Sequence, residues 1–164
     1  MTLLLKNLLF TVLVPGTAAV IVPLLIARGR SPASAWAAAF AVPAFAAGGA
    51  VYAWCVWDFA SFGRGTPLPI DAPKRLVVRG LYRYTRNPMY LGVLTVISGW
   101  ALLYQIGALA GYLLFVGVVF HLFVVFYEER HLQRTFGNEY AAYRRRVGRW
   151  LPGFGRRPPG SVPP

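Results

Sequence analysis

Acid is scarce in this chain. Five Asp and Glu stand against seventeen Lys and Arg, for a formal charge of +12 over 164 residues. Cys55 is the one cysteine, so no disulfide can close within the chain and the redox compartment stays open. One Cys and two His do not make a structural zinc set, and no metal is expected. There is no phosphate-cradling glycine loop, no dinucleotide fingerprint after a strand, and no Ser, His and Asp set that spacing picks out. Charge of either sign is itself rare, at 13% of residues, where soluble domains run near a quarter. Mean hydropathy is +0.51, and the uncharged residues come in long runs. The excess arginine therefore flanks apolar spans, as membrane topology requires, and does not point to nucleic acid.

What is present is a set of apolar segments. Leu8 to Ala27 is uncharged over twenty residues, enough at ~1.5 Å per residue to cross a hydrocarbon core of roughly 30 Å. It is too long for the apolar part of a signal peptide, and it reads as a span kinked at Pro15 and Pro23. Trp36 to Trp57 is a second uncharged run, with Gly48 and Gly49 suited to close helix packing and Trp36, Trp54 and Trp57 at its ends as interfacial anchors. Ser31-Pro32 or Ser34 is placed to cap it. Val93 to Tyr127 carries no Asp, Glu, Lys or Arg over 35 residues. Together with the helix start before it, this is too long for one crossing. The break at Tyr104-Gln105-Ile106-Gly107 divides it into spans Pro88–Leu103 and Ile106–Tyr127.

The loop from Asp58 to Arg86 holds Arg64, Lys74, Arg75, Arg79, Arg83 and Arg86, and its prolines forbid a continuous helix. With four spans and both termini cytoplasmic, fifteen positive residues lie inside and only Arg28 and Arg30 lie outside. Beyond Gly137, where the last helix is expected to stop, Tyr140, Tyr143, Val147 and Leu151 recur at helical spacing among arginines, the pattern of a surface-lying amphipathic helix. The expected fold is thus all-α. It is a polytopic membrane helix bundle with about four transmembrane helices, a helical hairpin and a C-terminal interfacial helix. Residues 1–152 form one domain, and 153–164 form a Pro/Gly-rich tail.

Chemistry gathers at the hairpin's two ends. Asn87-Pro88 is a helix start, and such a start also offers N–H groups to an anion. Tyr90 lies on the first turn, and Gly92 opens room for a close approach. At the other end stand Glu128 and Glu129, adjacent acids in a basic neighbourhood, either paired with arginine or awaiting a cationic ligand. His121 is an ionisable residue within a span, either functional or hydrogen-bonded to its neighbours.

The segment GLYRYTRNPMYLG (Gly80 to Gly92), followed by EERHLQRTFGNEYAAYRRRVGRWLP (Glu128 to Pro152), resembles the isoprenylcysteine carboxyl methyltransferase and phospholipid methyltransferase group of integral membrane enzymes. The resemblance covers the C-terminal half and rests on Arg86, Asn87, Pro88, Tyr90 and Gly92, the acidic pair, and Phe136, Gly137, Tyr140 and Tyr143. It implies methyl transfer dependent on S-adenosyl-L-methionine, at the cytoplasmic face of what would be the cell inner membrane. The implied acceptor is lipophilic or membrane-associated: an isoprenylcysteine-like carboxylate, a phospholipid amine or a small thiol. The cofactor residues it implies are Gly80, Tyr82, Arg86, Asn87, Tyr90, Leu91, Gly92, Glu128 and Glu129. A carboxylate of the pair would take the cofactor's ammonium or ribose hydroxyls, amides near Arg86 and Asn87 its carboxylate, and Tyr82, Tyr84 or Tyr90 its adenine or sulfonium. No catalytic residue is assigned, Glu129 and His121 being the available bases. Two other readings stay open: an NADPH-dependent membrane reductase of sterol-reductase type, and a non-catalytic membrane scaffold.

Overall fold

The computed structural model describes residues 12–63 and 75–152. Lys6, the start of the first predicted span, the Thr66–Pro69 turn and the tail from Gly153 lie outside them. Among the described residues there is no strand, only an isolated parallel bridge between Thr85 and Gly148.

Val12–Ile21 forms wide π-helical turns that run into α1 (Val22–Ile26). Pro23 has no N–H to give to the carbonyl of Ala19, four residues back, or of Ala18, five back. Side chains from elsewhere supply the missing donors: Trp100 Nε1 donates to the Ala19 carbonyl at 2.8 Å and the Tyr112 hydroxyl to the Ala18 carbonyl at 2.9 Å. Proline so close to a helix end is tolerated because neighbouring helices re-satisfy the backbone.

Ser34 starts α2 (Ala35–Asp58), its Oγ accepting from the Ala37 N–H at 3.0 Å, as the sequence allowed. The helix continues in wider turns through Phe59–Gly63. A 3₁₀ turn (Gly80–Arg83) then leads to α3 (Pro88–Tyr104). The chain reverses at Gln105, whose φ of 50° is left-handed, and returns as α4 (Gly107–Phe123). One wide turn, Val124–Glu128, joins α4 to α5 (Glu129–Arg146). The predicted hairpin break is therefore at the observed one.

The bundle packs around α3. A Cβ on Gly48 of α2 would lie 2.7 Å from the Gly92 carbonyl oxygen, and one on Gly92 would lie 3.0 Å from that of Gly48. These two glycines let the backbones of α2 and α3 touch, as small residues do at membrane-helix crossings. Ala19, Val93, Ile97 and Val116 join α3 to α4 and the N-terminal segment in one buried cluster. Much of what faces outward is large and apolar: Phe40, Val42, Leu114, Phe115, Leu122 and Phe126 are exposed.

Among the described residues, two helical stretches, Ala35–Phe62 and Gly107–Arg146, are long and apolar enough to cross a membrane, and Leu13–Ile26 and Pro88–Tyr104 are shorter apolar helices. At 17 residues, α3 covers roughly 25 Å, a little short of a hydrocarbon core.

The C-terminal segment corrects the expected surface helix. Gly137 breaks the regular path of α5 with φ 50° and ψ −120°, but helix resumes beyond it and stops at Arg146. Val147 is extended. Tyr140, Tyr143 and Val147 pack on Leu76, Leu132 and Phe136 within the protein. Their helical spacing reports a folded-back helix buried against its own first half and the central loop, not an apolar stripe laid on lipid.

Candidate active site

Residues 85–87 and 147–149 lie side by side. The Arg86 amide donates to the Gly148 carbonyl at 2.9 Å. Thr85 Oγ1 and Asn87 Nδ2 each donate to the Arg149 carbonyl at 3.0 Å, and the Asn87 amide donates to Thr85 Oγ1 at 3.3 Å. Asn87 holds the N-cap position of α3, with Pro88 behind it, but its side chain makes no cap bond. The backbone amides of Arg86 and Asn87 themselves are thus engaged within the protein. Asn87 instead ties the C-terminal segment to the helix start.

The two acids sit on this seam and differ. Glu129 is clasped. Its Oε1 accepts from Arg149 Nε at 2.7 Å and lies 2.9 Å from Arg86 Nη1, and its Oε2 accepts from Arg149 Nη2 at 3.1 Å. The carboxylate and the Arg86 side chain are both nearly buried, at 8% and 9% exposed. Arg86 Nη1 also donates to the Tyr140 hydroxyl at 3.1 Å. Bidentate arginine contact of this kind is the strong form of charge-assisted hydrogen bond. Its bond to Glu129 raises Arg149 further above the ordinary arginine value, so the guanidinium is charged at any working pH. Glu129 is therefore paired with arginine, its partners being Arg86 of the central loop and Arg149.

Glu128 has no such clasp. Its Oε2 accepts from the Tyr90 hydroxyl at 2.7 Å, and no cation among the described residues lies within ion-pair distance. The Tyr90 ring packs on Phe120 at 4.7 Å and edge-on to Trp150 at 6.4 Å between centroids. Trp150 Nε1 donates to His121 Nδ1 at 3.1 Å. With Nδ1 accepting that bond, Nε2 is the ring nitrogen left free of it. Beside it, an apolar groove of about 370 Å³ runs between α3 and α4, lined by Leu94, Leu113, Leu114, Gly117, Val118 and His121.

Of the nine residues implied by the resemblance, the fold brings Arg86, Asn87, Tyr90, Glu128 and Glu129 to one layer. Leu91 is on the first turn of α3, half-buried, its amide bonded to the Asn87 carbonyl. Gly92 faces Gly48, so the close approach it permits is by helix α2. Gly80 and Tyr82 turn toward α2 as well. Gly80 has φ +56°, and a Cβ there would collide with the Asp58 carboxylate. Tyr82 is buried with Cys55 and Val77, edge-on to Phe59; burial pushes its phenol well above its usual value, so it stays neutral. Its carbonyl accepts from the Tyr143 hydroxyl at 2.7 Å. Tyr84 is exposed.

Sequence reasoning missed Asp58, which is 1% exposed and lies 3.2 Å from Arg79 Nε. An acid ending an apolar helix just ahead of a basic loop was the available signal. It also missed Arg149 and Trp150 as members of the site, although both stand inside the second motif. Their spacing from Glu129 gave no hint that the chain folds back.

Comparison with known proteins places the sequence. A 64-residue segment is 38% identical to an uncharacterized protein of Haemophilus influenzae, over 38% of this chain and the whole of that one. An 82-residue segment is 38% identical to methanethiol S-methyltransferase 1 of Bradyrhizobium diazoefficiens, over 49% of this chain and 27% of that relative's length. No solved structure matches. The model of the phospholipid methyltransferase family matches residues 36–139, from the start of α2 through both acids and past the Gly137 kink. The chain belongs to the phospholipid methyltransferase family.

Proposed function

We propose that the protein transfers a methyl group from S-adenosyl-L-methionine to a lipophilic or membrane-associated acceptor at the cytoplasmic face of the inner membrane. The observation that carries this is Glu128, a carboxylate held only by a tyrosine hydroxyl among the described residues, in a member of this family. Four spans with both termini cytoplasmic, in one domain over residues 1–152, are the topology that the charge distribution favours.

The cofactor, when bound, supplies an activated methyl group on a sulfonium and carries a net positive charge. Glu128 suits its ammonium, since a carboxylate with a free lone pair beside an aromatic ring attracts cations by charge and by ring quadrupole. Tyr90 orients that carboxylate through the 2.7 Å bond and offers its ring to the same ligand. Arg86, Asn87 and Glu129 form the rigid wall behind, Leu91 lies on the adjacent turn, and Gly80, Tyr82 and Gly92 set the backbone that carries them. The apolar groove ending at His121 suits an acceptor's hydrocarbon part and keeps water from the reacting centre. The Nε2–H of His121 can donate to the acceptor and so orient it. The acceptor class extends to small thiols, because a relative is named for methanethiol S-methylation.

The test is calorimetry of the detergent-purified protein with S-adenosyl-L-methionine and, separately, NADPH. Binding of the first alone is expected. No heat at about millimolar S-adenosyl-L-methionine, an affinity of roughly 4 kcal/mol, overturns the proposal, and heat with NADPH alone supports a reductase. A labelled-methyl screen over lipid extract, prenylcysteine analogues and small thiols then assigns the acceptor.

A further inference from the structure

A second cavity, of about 450 Å³, opens on the other side of Glu129, and its walls are basic: Arg130, Arg134, Arg144 and Arg149 line it with Gln133. Among the described residues, Glu129 is the one carboxylate lining it, and it is already neutralised by Arg86 and Arg149. Among the described residues, Arg130, Arg134 and Arg144 have no carboxylate within ion-pair distance. The Arg130 guanidinium rests over the Phe126 ring, 5.7 Å from its centroid.

The kink at Gly137 builds this cavity. In a straight helix Arg130 and Arg144 would be roughly 21 Å apart along the axis and could not share it. The φ of 50° and ψ of −120° at Gly137 fold the second half of α5 back, and Gln133 Nε2 pins the bend by donating to the Gly137 carbonyl at 2.9 Å. Val125 of the preceding turn is its one aliphatic lining residue among the described residues. The cavity therefore joins a side chain from the turn that follows apolar α4 to a set of guanidinium groups.

A site with this surplus of positive charge repels a net-cationic cofactor and attracts an anion. Arginine forks match the oxygens of a phosphoryl group. We propose that this cavity binds the phosphodiester of an anionic membrane phospholipid, as a ligand site that does not include Glu128. The bound lipid would dock α5 against the bilayer surface. The inference does not depend on the methyl-transfer reading.

The experiment is native mass spectrometry of the detergent-purified full chain with added phosphatidylglycerol, phosphatidylcholine or inorganic phosphate. The protein is expected to retain phosphatidylglycerol in preference to phosphatidylcholine. Arg130→Gln/Arg134→Gln/Arg144→Gln is expected to lower that retention about tenfold or more, while Arg28→Gln/Arg30→Gln leaves it unchanged. Should the triple variant fail to fold, a salt titration of the unaltered protein serves, since an arginine-held lipid dissociates as ionic strength rises. Equal retention of both lipids, retention insensitive to the substitutions and to salt, or retention of inorganic phosphate without phosphatidylglycerol overturns the proposal.

Discussion

Glu128 and Glu129 are neighbours in sequence and opposites in setting. Glu129 is saturated, with two guanidiniums on its two oxygens, in a seam that fastens residues 85–87 to residues 147–149. Glu128 receives one neutral hydroxyl, from Tyr90, and no cation among the described residues. Adjacent helix positions point about 100° apart, so one acid turns toward the fold-back and the other toward α3. The difference separates two jobs that a sequence motif merges. Glu129 holds the seam together, and Glu128 is the acid that the proposed function assigns to a ligand.

The largest break in this comparison is Glu129→Ala. It leaves Arg86 buried without its counter-charge, and losing one partner of a buried pair costs about 3–5 kcal/mol. A marked drop in melting temperature in detergent is expected, with loss of cofactor binding as a consequence. Glu129→Gln should fall between, since it keeps the shape and removes the charge. A full-stability Glu129→Ala protein that merely binds cofactor less well would show that Glu129 is a ligand and not a clasp.

Glu128→Gln should show the reverse. Nothing among the described residues depends on its charge for pairing, and Gln can still accept from Tyr90. Stability should change by less than about 1 kcal/mol, within the range of substitutions that break no buried pair. Binding of S-adenosyl-L-methionine should weaken about tenfold or more, the worth of a hydrogen bond to a charged group. Tyr90→Phe should weaken it less, because the ring remains and only the orienting bond is lost. Calorimetry and thermal melting on the same samples separate the two quantities. If Glu128→Gln melts early and Glu129→Gln does not, the assignment of roles is inverted.

This division was only partly legible in the sequence. The hairpin, the Ser34 cap and the close Gly48 crossing followed from local rules of period, capping and residue size. So did the meeting of the two motifs, because both flank one hairpin and must share a depth. The partner of each acid was not legible, because it depends on a long-range fold-back from Gly137 onward. Tyr140, Tyr143 and Val147 show why: their spacing is the same whether the buried face meets lipid or protein. Arg149 could not be chosen from eight arginines downstream of Glu129 by charge alone.

The smallest effect tests the seam itself, at Asn87. As an ordinary N-cap, Asn87 would be replaced by Ser with little loss and by Ala at a cost of about 1 kcal/mol. As a tie, its Nδ2 reaches the Arg149 carbonyl at 3.0 Å, and a serine hydroxyl is too short to do so. Asn87→Ser and Asn87→Ala should then be equally destabilising. Each should cost only about 1 kcal/mol, because Thr85 Oγ1 donates to the same carbonyl and keeps it satisfied. The loss should appear on the Glu129 side of the comparison, as a lower melting temperature with near-normal cofactor affinity. A serine that restores full stability would mean that the side chain caps α3 and that the Arg86 and Arg149 clasp on Glu129 holds the seam without it.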